Sequence, residues 1–244
     1  MRLISFRREE GTSFGAVVEG RIVDLGLHLP EFHSLRELLQ ADALVRALDA
    51  AAEISPDYRL DRVTTLPPLT NPDRLLCVFD ESRNEAVNID PKFVRGNDQP
   101  LLLPAGDSRP LAAGVALVAG GKDGGGGQIA GASLISYLSP GSLAMGPWLV
   151  TADELQTTDQ FTFTVEVEDQ TTEISLSALD GLRESLSRSH ELNGGDVLAV
   201  LRYLPDMKVS AGNRIQVCSG ILGELGNPIE AEAPDNEPAD SEGE

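Results

Sequence analysis

The chain has 244 residues, enough to bury a sizeable core as one large domain or two unequal ones. Hydrophobic residues at 41% and charged residues at 24% exclude wholesale disorder. A formal net charge of −20, from 39 acidic against 19 basic residues, excludes a basic surface able to replace the counterions of nucleic acid or of an anionic membrane. Lysine occurs only at Lys92, Lys122 and Lys208, so arginine supplies nearly all the positive charge. This composition resembles that of salt-loving organisms, where concentrated salt screens self-repulsion.

In chain order, Leu3 to Phe6, Phe14 to Glu19 and Arg21 to Asp24 read as short strands, with Glu19-Gly20 as a tight turn. The start lacks the long apolar region of a signal peptide, and no apolar run approaches the roughly 18 to 20 residues of a membrane span, so a cytoplasmic protein is expected. Ser34 with Glu37 makes a capping box, and Leu35, Leu38, Leu39, Leu44, Val45 and Leu48 recur near helical period. Pro56, Pro67-Pro68 and Pro72 mark a linker, which divides a small unit at 1–62 from a larger domain at 66–229.

Within that domain Leu75 to Phe79 and Gly114 to Ala119 read as buried strands. The glycine-rich block 120–127 is no phosphate loop, because neither Ser nor Thr follows Lys122, and a hairpin loop is expected there. Phe161, Phe163, Val165 and Val167 alternate with polar residues as in a half-buried strand, turning at Asp169-Gln170 and returning through Ile174. Leu179, Leu182 and Leu186 suggest a short helix, and Val197 to Leu201 and Ile215 to Cys218 close the domain as strands. The tail 230–244 carries only acidic charge and no aromatics, which predicts disorder. Cys77 and Cys218 form neither a metal pattern nor a disulfide framework and read as small buried thiols.

Four stretches stand in order along the chain: Arg74-Leu75-Leu76-Cys77-Val78, Gly146-Pro147-Trp148-Leu149-Val150-Thr151-Ala152-Asp153-Glu154-Leu155, Leu192-Asn193-Gly194-Gly195-Asp196-Val197-Leu198 and the closing Gly220-Ile221-Leu222-Gly223-Glu224-Leu225-Gly226-Asn227-Pro228-Ile229. Together they resemble the fumarylacetoacetate hydrolase family. The resemblance covers nearly the whole chain before the tail. It implies an α+β, mostly β fold: a fumarylacetoacetase-like distorted β-barrel or β-roll with a small N-terminal α/β unit. It also implies a divalent cation among acidic side chains, acting as a Lewis acid on a 2-oxo acid or acylpyruvate.

The acidic side chains are missing. Where the family has two glutamates two apart on a strand, this chain has Ala112 and Gly114, and Tyr137 stands at the position of an aspartate. Glu85 stands where the family has its histidine, and Asn88 where a glutamate follows. The lysine expected before Gly146 is absent, and Arg202-Tyr203 replace the end of a Gly-Thr-Pro turn.

Asp80, Glu81 and Glu85 form the remaining acidic cluster near the expected site and are the candidates for metal ligands, with Glu81 and Glu85 as candidate acid and base. Arg83, Arg202 and Tyr203 are candidates for binding a small carboxylate, with Arg95 as a further cation. His28, His33 and His190 lie in no motif, and Trp148 reads as core.

The expected function is that of a catalytically inactive family member in a binding, regulatory or assembly role. It would pair as a homodimer or as a hetero-oligomer with an active relative, and no cofactor is expected. Two alternatives stand: a magnesium- or manganese-dependent hydrolase, hydratase or isomerase with a relocated site, and a carboxylate sensor.

Overall fold

The computed structural model describes residues 1–79, 86–121, 128–138, 142–155, 160–177 and 192–232. It opens with strands β1 (Arg2–Arg8), β2 (Gly11–Val18) and β3 (Arg21–Asp24), joined antiparallel. The β2–β3 turn is Glu19-Gly20 as expected, both residues taking positive φ (51° and 73°), the backbone that two-residue hairpins require. Helices α1 (Leu25–His28), α2 (Leu35–Gln40) and α3 (Leu44–Glu53) follow.

Ser34 caps α2 by accepting from the Glu37 amide at 3.2 Å, and the Glu37 carboxylate accepts from the His33 amide. The single helix suggested by the leucine spacing is in fact two. Asp42 adopts φ 57° and interrupts the ladder, so α3 buries Ala47 and Ala51 and leaves Val45 70% exposed.

Short strands β4 (Tyr58–Arg59), β5 (Thr64–Leu66), β6 (Leu75–Val78), β7 (Ala86–Asn88), β8 (Val94–Arg95) and β9 (Leu101–Leu103) lead to three long ones: β10 (Ser108–Gly120), β11 (Gln128–Leu138) and β12 (Ser142–Thr151). After helix α4 (Ala152–Leu155) come β13 (Gln160–Val167), β14 (Gln170–Ser177), β15 (Val197–Ser210), β16 (Arg214–Ser219) and β17 (Gly223–Ala231). The β13–β14 turn is at Glu168-Asp169, one residue earlier than the sequence suggests, with Glu168 at φ 52°. On β13 Phe161, Phe163, Val165 and Val167 are buried, as their alternation demands.

Twelve strands form one sheet in the order β4-β3-β2-β1-β12-β11-β10-β15-β6-β7, with β5 on β1 and β8 on β12. The other five form a second sheet, β14-β13-β16-β17-β9. Among the described residues the strands form a roll rather than a closed barrel. The step from the N-terminal strands to the rest is the β1–β12 pair, with Arg2 opposite Val150 and Leu3 opposite Leu149.

Each long strand presents alternate residues to two cores. One core lies between the sheets and takes Leu111, Ala113, Val115 and Leu117 of β10 with Phe163, Val165 and Val217. The other lies on the opposite face and takes Ala112, Ala116 and Val118 with Leu35, Leu38 and Leu39 of α2. A smaller core holds Ile4, Phe6 and Ile22, and Trp148 packs against both it and the inter-sheet core. Trp148 is half-buried rather than a core residue in full, with the Arg2 guanidinium 4.8 Å above its ring.

Candidate functional site

The three positions that the resemblance assigns to metal ligands are neighbours. Ala112 and Gly114 lie two apart on β10 and therefore share a face. Tyr137 on β11 is the direct cross-strand partner of Ala112, and Tyr203 on β15 is its partner on the other side. Ile135 and Leu201 flank Gly114 in the same way, and Ser133 and Ala199 flank Ala116. The face is thus a trough of three small residues, walled by tyrosines at one end, with no charged group in any of the three columns.

Phe79 completes this arrangement. It follows β6, which stands three strands away from β11 in the sheet, a backbone separation of about 14 Å at the usual strand spacing. Yet the rings of Phe79 and Tyr137 have centroids only 5.0 Å apart, tilted by 55°, a favourable aromatic geometry. The two rings therefore meet above the β10–β15 pair, on the face that carries Ala112 and Leu201. The sequence marks Phe79 only as the end of a strand, and no local pattern there signals a contact with Tyr137.

The backbone closes the site further. A Cβ on Gly114 would stand 2.8 Å from the Val200 carbonyl carbon, 2.9 Å from the Leu201 Cα and closer still to the Val200 carbonyl oxygen. Ala112 is fully enclosed. The oxygen donors present are the Tyr137 and Tyr203 phenols, neither hydrogen-bonded among the described residues, and the Ser133 hydroxyl, which donates to the Gly146 carbonyl at 3.2 Å. A hard divalent cation needs several converging oxygens, carboxylates above all. Two neutral phenols and an engaged hydroxyl do not fit that need, and no group of three His, Cys, Asp or Glu side chains gathers anywhere among the described residues.

The other candidates are dispersed. Arg202 lies opposite Ala113 and Tyr203 opposite Ala112, so the two side chains leave opposite faces of the sheet. Tyr203 is 47% exposed beside the trough, while Arg202 is exposed on the reverse side. Arg95 sits on β8, paired with Ala144 of β12, and it is the preceding Val94 that packs into the same core as Tyr137. Asn88 is exposed on β7, opposite Leu76. Asp80, Glu81, Arg83, Glu85 and His190 lie outside the described residues, as do the glycine block from Lys122 on, the predicted helix around Leu182 and positions 233–244 of the expected disordered tail. The first positions of that tail are ordered instead: Glu230 and Ala231 continue β17 opposite Leu102 and Leu103, and the Glu232 amide donates to the Leu103 carbonyl, because β9 offers the strand a parallel partner. His28 reaches Asp57 at 3.3 Å, and His33 only donates its amide to Glu37.

One buried carboxylate was quoted as part of a turn but not singled out. Asp196 is 1% exposed and accepts from Arg74 through both Nε at 2.9 Å and Nη2 at 2.5 Å, and from the Asn193 amide at 2.9 Å. Its position, tying the start of β6 to the turn before β15, is that of a clamp rather than a reactive group. Cys77 is fully buried, and burial pushes its thiol up to about 12; Cys218 is also raised, by burial first and by the nearby Glu224 and Glu166 carboxylates.

This architecture is the fold of the fumarylacetoacetate hydrolases. No family profile and no curated protein matches the sequence, so the likeness rests on solved structures. Maleylpyruvate hydrolase from Sphingobium sp. SYK-6, in complex with manganese(II) and pyruvate, superposes with a TM-score of 0.76 at 19% identity, covering 96% of this chain and all of that one. Fumarylacetoacetate hydrolase from the psychrophile Exiguobacterium antarcticum gives 0.71 at 17% identity, over 95% of this chain and all of that one. A 2-keto-3-deoxy-D-arabinonate dehydratase complexed with magnesium and 2,5-dioxopentanoate gives 0.68 at 14%, over 95% and 99%. At these identities the fold is shared, and no helix among the described residues is long and apolar enough to cross a membrane.

Proposed function

We propose that this protein is a catalytically inactive member of the fumarylacetoacetate hydrolase family, cytoplasmic, and kept for a binding, regulatory or assembly role. The observation that carries the reading is the convergence of Ala112, Gly114 and Tyr137 at one place with no carboxylate among them. The solved relatives hold manganese or magnesium beside an oxo-acid ligand; Lewis-acid chemistry of that kind needs oxygen ligands that these residues do not supply. A fold outlives its site readily, because packing and chemistry rest on different residues. The role we assign is association, either with a second copy or with an active relative, rather than turnover.

A relocated catalytic site remains the second reading, because Asp80, Glu81 and Glu85 form an acidic cluster within six residues of Phe79 in the sequence. A carboxylate sensor using Arg83, Arg95 or Arg202 is the third reading; in it Arg202 does not share a pocket with Tyr203, since the two leave opposite faces of β15. The test is calorimetric titration of magnesium and manganese, with and without oxalate, in molar potassium chloride, beside an active maleylpyruvate hydrolase. Heat from the control alone is the expected result. Saturable micromolar binding by this protein sinks the inactive reading, and alanine at Glu81 and Glu85 then shows whether those acids hold the ion.

A further inference from the structure

We infer that the metal position of this fold has been rebuilt as a packed aromatic plug, so that returning its carboxylates does not return a cation site. The inference rests on the reading of Ala112, Gly114 and Tyr137 as the family's ligand positions, and it goes further by naming what replaced the ion.

Three observations support it. The ring of Tyr137 on β11 and that of Phe79, just past β6, meet over the intervening β10–β15 pair with centroids 5.0 Å apart. They pack against the same buried cluster as Ala112 and Leu201, which sets two aromatic rings over that face. At Gly114 the β15 backbone, from Val200 to Leu201, occupies the space that any side chain would need. A lost ligand leaves a hole that a carboxylate refills. Here the hole has been closed by a neighbouring backbone on one side and by two rings on the other. A glutamate placed at 112 would be a buried, unpaired charge against aromatic faces, which protein interiors tolerate poorly.

The plug also gives Phe79 a task that a ligand site would not. It ties the chain leaving β6 to β11 across β10 and β15, whereas the backbone partners of β6 among the described residues are β15 and β7.

The experiment combines manganese binding, read from loss of the free-ion electron paramagnetic resonance signal, with equilibrium unfolding, both in molar potassium chloride. The variants are Ala112→Glu with Tyr137→Asp, the same pair with Phe79→Ala added, Gly114→Ala, and the single and double alanine changes at Phe79 and Tyr137. The expected results are no manganese uptake by the 112/137 pair, a large loss of stability for Gly114→Ala, and non-additive losses at Phe79 and Tyr137. That coupling should amount to roughly threefold to tenfold in the unfolding constant. Manganese uptake by the 112/137 pair with Phe79 in place overturns the inference, as does strict additivity of the alanine changes. Should the 112/137 pair not fold, the additivity result decides alone. Uptake that appears only once Phe79 is removed supports the plug. Manganese binding by the unaltered protein, unmoved by changes at 112 and 137, would refute the proposed function and leave the plug standing.

Discussion

Cys77 on β6 is enclosed by apolar neighbours, and the cost of placing a thiolate among them raises its pKa from 9.0 to about 12. The sign of the consequence is fixed. The folded state keeps the proton that the unfolded state gives up above its own pKa, so stability is fully present below pH 9 and falls as pH rises from there toward 12. The slope approaches about 1.4 kcal/mol per pH unit for this one group. We expect Cys77→Ser to show a weaker alkaline loss of stability than the unaltered chain, measured as denaturant midpoints across that range. Equal alkaline slopes in the two proteins would show that Cys77 does not set them. The same burial leaves little thiolate for alkylation at neutral pH, which makes Cys77 a structural thiol. Its character was readable from the apolar stretch around it; its fixed position in the core beneath the helices was not.

At the scale of elements, the joint between β6 and β15 depends on Asp196. These strands pair in parallel from Val197 opposite Leu75, and Arg74 reaches the carboxylate of Asp196 just before the pairing begins. Asp196 follows Gly195, whose φ of 87° only glycine adopts without strain. The turn and the clamp are one device, which is why Gly194-Gly195-Asp196 stands together in sequence. Removing the acid leaves Arg74, one-third exposed, without this partner, and the Asn193 amide without an acceptor. Asp196→Ala should lower stability by about 2 kcal/mol, below the full cost of breaking a buried pair because solvent screens the arginine. An unchanged unfolding midpoint would refute the clamp. Elements set by local periodicity, such as β13 with its alternating phenylalanines and valines, could be read from the chain directly. The break between α2 and α3 could not, because the leucines run on in helical register while the left-handed backbone at Asp42 turns the second helix to bury Ala47 and Ala51.

For the molecule as a whole, the net charge of −20 dominates behaviour in solution. The described ion pairs are mostly exposed, as between Arg59 and Asp61 or Arg36 and Asp73, and each contributes little. Repulsion among the excess carboxylates opposes the compact state and is screened over about 10 Å at 0.1 M salt and about 3 Å at 1 M. Thermal unfolding should therefore shift upward between dilute buffer and molar potassium chloride, with most of the gain at the low end. A transition temperature independent of salt would show that the surface charges are already compensated.

What the sequence determined by itself is the set of features that depend on near neighbours or on composition: strand alternation, the Ser34 cap, the Glu19-Gly20 turn, the acidic surface, and the order of motifs that resembles a known family. Its register against the resembled motifs also assigns Ala112, Gly114 and Tyr137 to the family's carboxylate positions, which is the reading on which the proposed function rests. Only the tertiary structure decided what stands in their place. Phe79 and Tyr137 are 58 positions apart in the chain, and their meeting over the β10–β15 pair depends on the order of four strands in the sheet. The obstruction at Gly114 depends on where the backbone of β15 passes. Likewise the separation of Arg202 from Tyr203 follows from strand pairing. A linear sequence shows which groups are absent, whereas the filling of the space they left depends on contacts between distant segments that no local pattern encodes.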